Sequence, residues 1–172
     1  MTSIIRADET HSHLLSDLAR RTFIESHGSS AKSEDVDSYV AKNYNSEILR
    51  KEIQDSNNIF HIVYYDSHAA GYSKIVFNCP YTDSKTKNIA KLERIYLLKE
   101  FYSSGIGLEL FEFNVSLIKE NDQTGIWLYV WKDNHRAINF YKKNGFIIIG
   151  SHDFKISEDH SNPNHQMLLS FK

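Results

Sequence analysis

Apolar positions along the chain change period several times, and the changes mark out its elements. Ile4 and Ile5 form a short apolar run that predicts a first strand, and Asp8 is placed to cap the helix after it. Leu14, Leu15, Leu18, Thr22 and Phe23 then recur at helical spacing up to the turn near Gly28. Val36, Tyr39 and Val40 predict a second short helix. Ser46 opens a third, with Ile48, Leu49 and Ile53 on one face and a break at Ser56 to Asn58.

Past that break the residue types become β-branched and aromatic. Ile59 to Tyr65 predicts a strand, Asp66-Ser67-His68 a turn, and Ala70 to Phe77 the hairpin partner. Pro80 to Asn88 is polar and reads as a loop. Ile89 to Leu97 returns to strand character, with Leu92, Arg94 and Tyr96 on one face and Lys91, Glu93, Ile95 and Leu97 on the other. From Gly105 the period becomes helical, with Ile106, Leu110, Phe113 and Leu117 on one stripe and Phe111 and Ile118 beside it. Gly125 to Val130 is a buried strand, and a helix from about Asn134 to Lys143 is closed by Asn144-Gly145. Phe146 to Gly150 and Gln166 to Phe171 supply two last strands around a polar loop, Ser157 to His165. The order β-α-α-α-β-β-β-α-β-α-β-β predicts one α/β domain with a mixed sheet over residues 1–172.

Composition narrows the function. With 20 basic and 22 acidic residues the net charge is −2, without the basic surplus or cluster of a nucleic-acid binder. The lone Cys79 excludes an intramolecular disulfide and a multi-cysteine zinc site. The nine histidines lack a ligand spacing such as His-x-x-x-His, so no metal is expected. No run of about 18 apolar residues occurs, and the start lacks a signal-peptide pattern, so no membrane partner is expected and a cytoplasmic protein is.

Two segments carry candidate chemistry. Around Gly105 and Gly107 a strand runs through a short loop into a helix, which offers unpaired N–H groups and the positive end of a helix dipole to a phosphate. No Gly-Lys-Ser/Thr comes after it, and position 110 is Leu, so it is neither a Walker loop nor a dinucleotide fingerprint. In the second segment Asn134 and Tyr141 lie about two helical turns apart and share a face, while the small Ala137 permits close approach.

Together these segments resemble the GCN5-related N-acetyltransferase (GNAT) family. Its Gln/Arg-x-x-Gly-x-Gly/Ala motif is matched by Tyr102-Ser103-Ser104-Gly105-Ile106-Gly107. Its Asn-x-x-Ala-x-x-x-Tyr-x-x-x-Gly-Phe motif is matched by Asn134, Ala137, Tyr141, Gly145 and Phe146. The segments TFIESH, AGYSKI, LERIYLLKEF, WLYVWKDNHRAINFYKKNGF and GSHDF further resemble the bacterial spermidine/spermine N-acetyltransferase subgroup. The chain departs from the motif at Tyr102, where Gln or Arg is usual, and Ser103-Ser104 lack a basic residue.

The resemblance implies a GNAT fold, with helices flanking a mixed, mostly antiparallel sheet, and acetyl-CoA as cosubstrate. It implies direct attack of a small-molecule amine on the thioester in a ternary complex. Backbone groups of Ile95, Tyr96 and Leu97 would hold the pantetheine arm or polarise the acetyl carbonyl. The pyrophosphate would sit on the loop and first turn from Tyr102 through Ser103, Ser104, Gly105, Ile106 and Gly107 to Leu108. Charge would come from Lys99, Arg136, Lys142 or Lys143, and Asn134 and Ala137 would border the cofactor. Tyr141 would protonate the departing thiolate. An alkylammonium of pKa about 10.4 must lose a proton before attack, and Glu93 is the first candidate base, with His27 and His135 behind it. A polyamine would meet Glu25, Glu34, Asp35 and Asp37 with Tyr39, Tyr44 and Trp131. Transfer to another amine, acyl-CoA sensing without turnover, and a homodimer through the C-terminal strands also fit.

Overall fold

Seven strands and five α-helices succeed one another in the predicted order, and the computed structural model describes residues 1–171. They are β1 (Thr2–Arg6), α1 (Ser12–His27), α2 (Ser33–Asn43), α3 (Ser46–Gln54), β2 (Asn58–Tyr65), β3 (His68–Val76) and β4 (Ala90–Leu97). Then come α4 (Ile106–Glu120), β5 (Gly125–Trp131), α5 (His135–Lys143), β6 (Ile147–Lys155) and β7 (Ser161–Ser170). All seven strands form one sheet in the order β1-β2-β3-β4-β5-β7-β6. Every neighbouring pair is antiparallel except β4 and β5.

Both sheet faces are covered. Leu15, Leu18 and Phe23 of α1, Val36 and Val40 of α2 and Leu49 of α3 bury one face against Phe60, Ile62 and Tyr72. On the other, Phe111 and Ile118 of α4 and Ile138 and Tyr141 of α5 pack on Ile75, Leu92, Ile126, Leu128 and Met167. Truncating a fully buried residue such as Leu15 or Ile62 to Ala is expected to cost about 2–5 kcal/mol. The hairpin turn between β2 and β3 is two residues long, with Asp66 and Ser67 both left-handed at φ 45° and 67°.

Three expectations need correction. The buried face of α4 runs through Ile106, Leu110, Phe111, Asn114 and Ile118, while Phe113 is exposed. The turn of the helix keeps the 3.6-residue period through Asn114, whose polarity hid it; its Oδ1 accepts from Ser73 Oγ at 3.2 Å. The segment Ser161 to His165 is not loop but the first half of β7, paired with Ser151 to Lys155. Its inward side chains are the amides Asn162 and Asn164, so a buried strand face carried no apolar signal. Finally, Asn45 rather than Ser46 caps α3, accepting from the Ile48 N–H at 3.0 Å.

The feature that shapes the interior is a β-bulge. Along the β3–β4 ladder Lys74 faces Arg94 and Ile75 faces Leu92, so Glu93 has no residue opposite it. Between β4 and β5 the only paired positions are Ala90 with Ile126 and Lys91 with Trp127. Beyond Lys91 the two strands part, and a fork opens in the middle of the sheet.

Candidate active site

The fork is lined by Leu92 to Leu97 of β4, Tyr129 to Trp131 of β5, Asn134, Arg136, Ala137 and Tyr141 at α5, and the end of α1. It encloses about 350 Å³. The Leu98 N–H donates to Ala70 O at 2.9 Å, which makes 98 and 96 the hydrogen-bonded positions against β3. The N–H and C=O groups of Ile95 and Leu97 therefore point the other way, into the fork, where β5 no longer meets them. The strand offers a row of unspent backbone donors and acceptors.

At the end of β4 the chain turns through Tyr102 to Gly105 into α4. Gly105 is left-handed at φ 86°, with open space where a side chain would be. A Cβ on Gly107 would come within 3.3 Å of Leu97 Cδ1, so the loop lies close over the end of β4. The N–H groups of Ser103, Ser104, Gly105 and Gly107 have no acceptor among the described residues. By contrast, the N–H of Leu108 is spent on Gly105 O at 3.0 Å and that of Ile106 faces Ser104 Oγ at 3.4 Å. A cluster of open donors at the positive end of a fifteen-residue helix suits a diphosphate. Arg136 adds a charge, its guanidinium stacked 3.4 Å above the Tyr102 ring. Tyr102, in the place of a Gln or Arg, thus brings in an arginine from α5.

Asn134 caps α5, its Oδ1 accepting from the Ala137 N–H at 3.2 Å, and lines the fork. Tyr141, 8% exposed, also lines it. Burial pushes its phenol well above the usual range, with Arg136 pulling partly back, so the group stays protonated at physiological pH. Lys143 is not brought in. It is exposed on the last turn of α5, about 10 Å along the axis from Arg136.

Glu93 does line the fork, but not for the reason that alternation gave. The bulge turns it to the same face as Arg94, away from Ile95 and Leu97. There it meets Lys74 at 3.0 Å and Arg94 at 3.9 Å. Glu52 of α3 completes the cluster, gripping Arg94 with both oxygens at 2.9 and 3.1 Å and Lys74 at 3.0 Å. Burial opposes ionisation of Glu93, but Lys74, Arg94 and Lys91 outweigh it and hold the carboxyl below its usual range. Its carboxylate is spent on Lys74 and Arg94 rather than turned to an incoming amine.

The remaining wall is aromatic: Phe23, Tyr39, Tyr44, Tyr96, Trp131 and Phe154. Of the acidic residues on α1 and α2, only Glu25 reaches the fork, and its carboxylate takes the Lys99 N–H at 2.7 Å. Glu34 and Asp37 are exposed and Asp35 is half-buried on α2, and none lines it. Sequence reasoning missed Asn162 and Asn164, which sit in the wall; His27, set there behind Glu93, lines it as well. His135 is exposed on α5. Among the described residues no three His, Cys, Asp or Glu gather as a metal site would require.

The sequence profile of the acetyltransferase (GNAT) family matches residues 15–146. The chain belongs to the GNAT family. An uncharacterised N-acetyltransferase from the pepI 3′ region of Lactobacillus delbrueckii subsp. lactis is 32% identical over 142 residues, 83% of this chain and 82% of the relative. An uncharacterised N-acetyltransferase of Mycobacterium tuberculosis (strain H37Rv) is 26% identical over 148 residues, covering 86% and 90%. The PaiA N-acetyltransferase of Thermoplasma acidophilum, solved in complex with coenzyme A, shares the fold at TM-score 0.80 and 22% identity, over 99% of both chains. The ribosomal-protein-S18-alanine N-acetyltransferase of Escherichia coli does so at TM-score 0.66 and 16% identity, over 99% and 94%. As a GNAT protein the chain is an acyltransferase whose cosubstrate is acetyl-CoA. The open donors of the 103–107 loop, the Arg136 charge and the free strand edge of Ile95 and Leu97 fit a diphosphate joined to an amide-bearing arm.

Proposed function

We propose that the protein transfers acetyl to a primary amine, holding acetyl-CoA and acceptor in the β4–β5 fork at once. One observation carries this reading: inward backbone groups of β4 and the neutral Tyr141 phenol share a single cleft with an aromatic wall that accepts an ammonium. Bound acetyl-CoA supplies an activated acyl group as a thioester. The loop from Tyr102 to Gly107 and Arg136 hold the diphosphate, Ile95 and Leu97 pair with the pantetheine arm, and Asn134 and Ala137 border it. An inward N–H of β4 aimed at the acyl oxygen stabilises the charge that develops there without reorganisation. Tyr141 gives its proton to the sulfur as it leaves. Glu93 balances Lys74 and fixes the cleft wall rather than removing the amine's proton.

Among acceptors, a linear polyamine such as spermidine or spermine is the one the sequence resemblance supports. Aromatic faces suit its methylenes, and Glu25 at the rim suits a distal ammonium. A cytoplasmic location accords with the use of acetyl-CoA. A dimer through β6 is part of the same reading, supported by Ile147, Ile148 and Ile149, which are 62%, 42% and 37% exposed on that edge strand; sedimentation of Ile148→Lys against wild type tests it.

The test of function is thiol release from acetyl-CoA with a panel of polyamines, monoamines, amino sugars and peptides with free N-termini or lysines. Amine-dependent release is expected, with polyamines leading in kcat/KM. A protein that binds CoA tightly yet releases no thiol with any amine is a sensor, and the transferase reading falls. Peptides ahead of polyamines would remove only the polyamine assignment.

A further inference from the structure

His27 closes the last turn of α1 and sits at the mouth of the fork, 9% exposed. Its ring lies face to face with Phe23, centroids 4.8 Å apart and planes 9° from parallel. It is edge-on to Tyr96 of β4 at 6.0 Å and 5.7 Å from Trp131 of β5, so it bridges the strands where they part. Hydrogen bonds fix which nitrogen carries the proton. Ser26 Oγ lies 2.7 Å from Thr22 O, and a carbonyl cannot donate, so the Ser26 proton is committed there. Ser26 Oγ also lies 2.6 Å from His27 Nδ1, and its proton being spent, it accepts from Nδ1–H. The bond given to His27 runs through Nδ1, which leaves Nε2 with its lone pair and no hydrogen bond among the described residues, on a ring that lines the cleft.

A second acceptor lies buried and without a partner in the same wall. Asn164 stands opposite Trp131 in the β5–β7 ladder, is 7% exposed, lines the fork, and its Oδ1 has no hydrogen-bond partner among the described residues. The start of β7 is tied to the loop after α1, His160 Nε2 meeting Ser30 O at 2.8 Å and Asn162 Nδ2 donating to Ser30 Oγ at 2.7 Å. An unpaired buried amide oxygen costs free energy unless a donor reaches it.

We infer that His27 Nε2 and Asn164 Oδ1 receive the two N–H groups of the acceptor amine, and that His27 is the catalytic base of the transfer. This rests on the amine reading above. The two acceptors aim the nitrogen lone pair at the acyl carbon. The ammonium first gives one proton to solvent at the cleft mouth; as the C–N bond then forms and the C–S bond breaks, a second nitrogen proton passes to Nε2 and the Tyr141 phenol gives its proton to sulfur. Solvent at the cleft mouth then returns a proton from His27 to Tyr141, leaving an amide and a thiol. Burial lowers the imidazole to about 4, so it stays in its accepting form near neutrality. A weak base suffices because the nitrogen becomes far more acidic once it bonds to the acyl carbon.

The test is steady-state kinetics with acetyl-CoA and the best amine of the panel, alongside CoA titration by calorimetry. His27→Phe keeps the aromatic packing and removes the lone pair. It is expected to lower kcat by at least about 50-fold with KM for acetyl-CoA and CoA affinity unchanged. His27→Ala should be partly rescued by free imidazole in proportion to its concentration, which a packing role alone would not produce. Asn164→Leu should raise KM for the amine while leaving that for acetyl-CoA alone. Should His27→Phe fail to bind CoA, Ser26→Ala carries the test, with a several-fold loss in kcat expected as the tautomer is released. A kcat for His27→Phe within threefold of wild type, or for Ser26→Ala equal to wild type, overturns the proposal while amine transfer stands. Wild type inactive on every amine removes the reading beneath it and the proposal with it.

Discussion

Between Tyr102 and Gly107 the unspent donors belong to the main chain, and so do the inward groups of Ile95 and Leu97. Around the end of α1 the inward groups belong to side chains drawn from α1, α2, β4, β5, β6 and β7. The first kind of surface depends on where the backbone goes and on glycine at two positions. The second depends on which rings and polar tips six elements bring together. A backbone surface binds any ligand bearing the right phosphates and amides, whereas a side-chain surface distinguishes one amine from another. On the function proposed above, the molecule thus separates a general cofactor grip from a particular acceptor wall, with Tyr141 at their junction.

The largest expected effect falls on that junction. Tyr141→Phe keeps the ring among Phe140, Phe146 and the α5 core but deletes the proton donor. It should cut kcat by about 10²–10⁴-fold with CoA affinity nearly unchanged, as stopped-flow thiol release and calorimetry would show. Equal turnover would mean that sulfur leaves unassisted and that the two surfaces share no catalyst.

Next is the polar anchor of the acceptor wall. Glu52→Gln leaves Lys74 and Arg94 buried with Glu93 as their one remaining carboxylate, and should destabilise the fold by about 3 kcal/mol in urea titration. The cofactor loop has no comparable buried charge, so loop variants should leave stability almost untouched.

Acid sensitivity separates the faces further. Burial lowers both His27 and His61 to about 4, with Arg6 adding to the effect at His61. The unfolded chain protonates each near 6.5, so stability is whole above that pH and is lost as pH falls from 6.5 towards 4, by up to about 3 kcal/mol per histidine. His61 packs on Phe113 of α4, outside the cleft. His61→Phe should flatten the melting-temperature profile and leave kcat at its wild-type value, whereas His27→Phe should change both.

The smallest effect tests the cofactor grip alone. Gly107→Asp sets a carboxylate on the phosphate loop and a Cβ against Leu97, and should weaken CoA by at least about tenfold in calorimetry while the amine wall is unaltered. Unchanged affinity in a folded variant would move the diphosphate elsewhere.

The same division explains which features the sequence makes legible. Element order was legible because most elements bury one apolar face, and the Gly105–Gly107 turn and the Asn134–Tyr141 helix are contiguous stretches. The acceptor wall was not, because His27, Trp131 and Asn164 are neighbours only through the β5–β7 ladder and the packing of α1. Asn162 and Asn164 read as loop because their inward face is polar. Glu93 was assigned to the wrong face because one inserted residue shifts the alternation of every residue beyond it, and no side-chain pattern announces the insertion.

That bulge has an evolutionary consequence. It is a matter of chain length rather than of residue identity, so point substitution cannot erase it; only loss of a residue would draw β4 back beside β5. The inward main chain at Ile95 and Leu97 is therefore inherited whatever side chains accumulate around it. On the function proposed above, exchange of Tyr39, Tyr96 or Trp131 would let acceptor preference drift while the main chain proposed to handle the thioester keeps its shape.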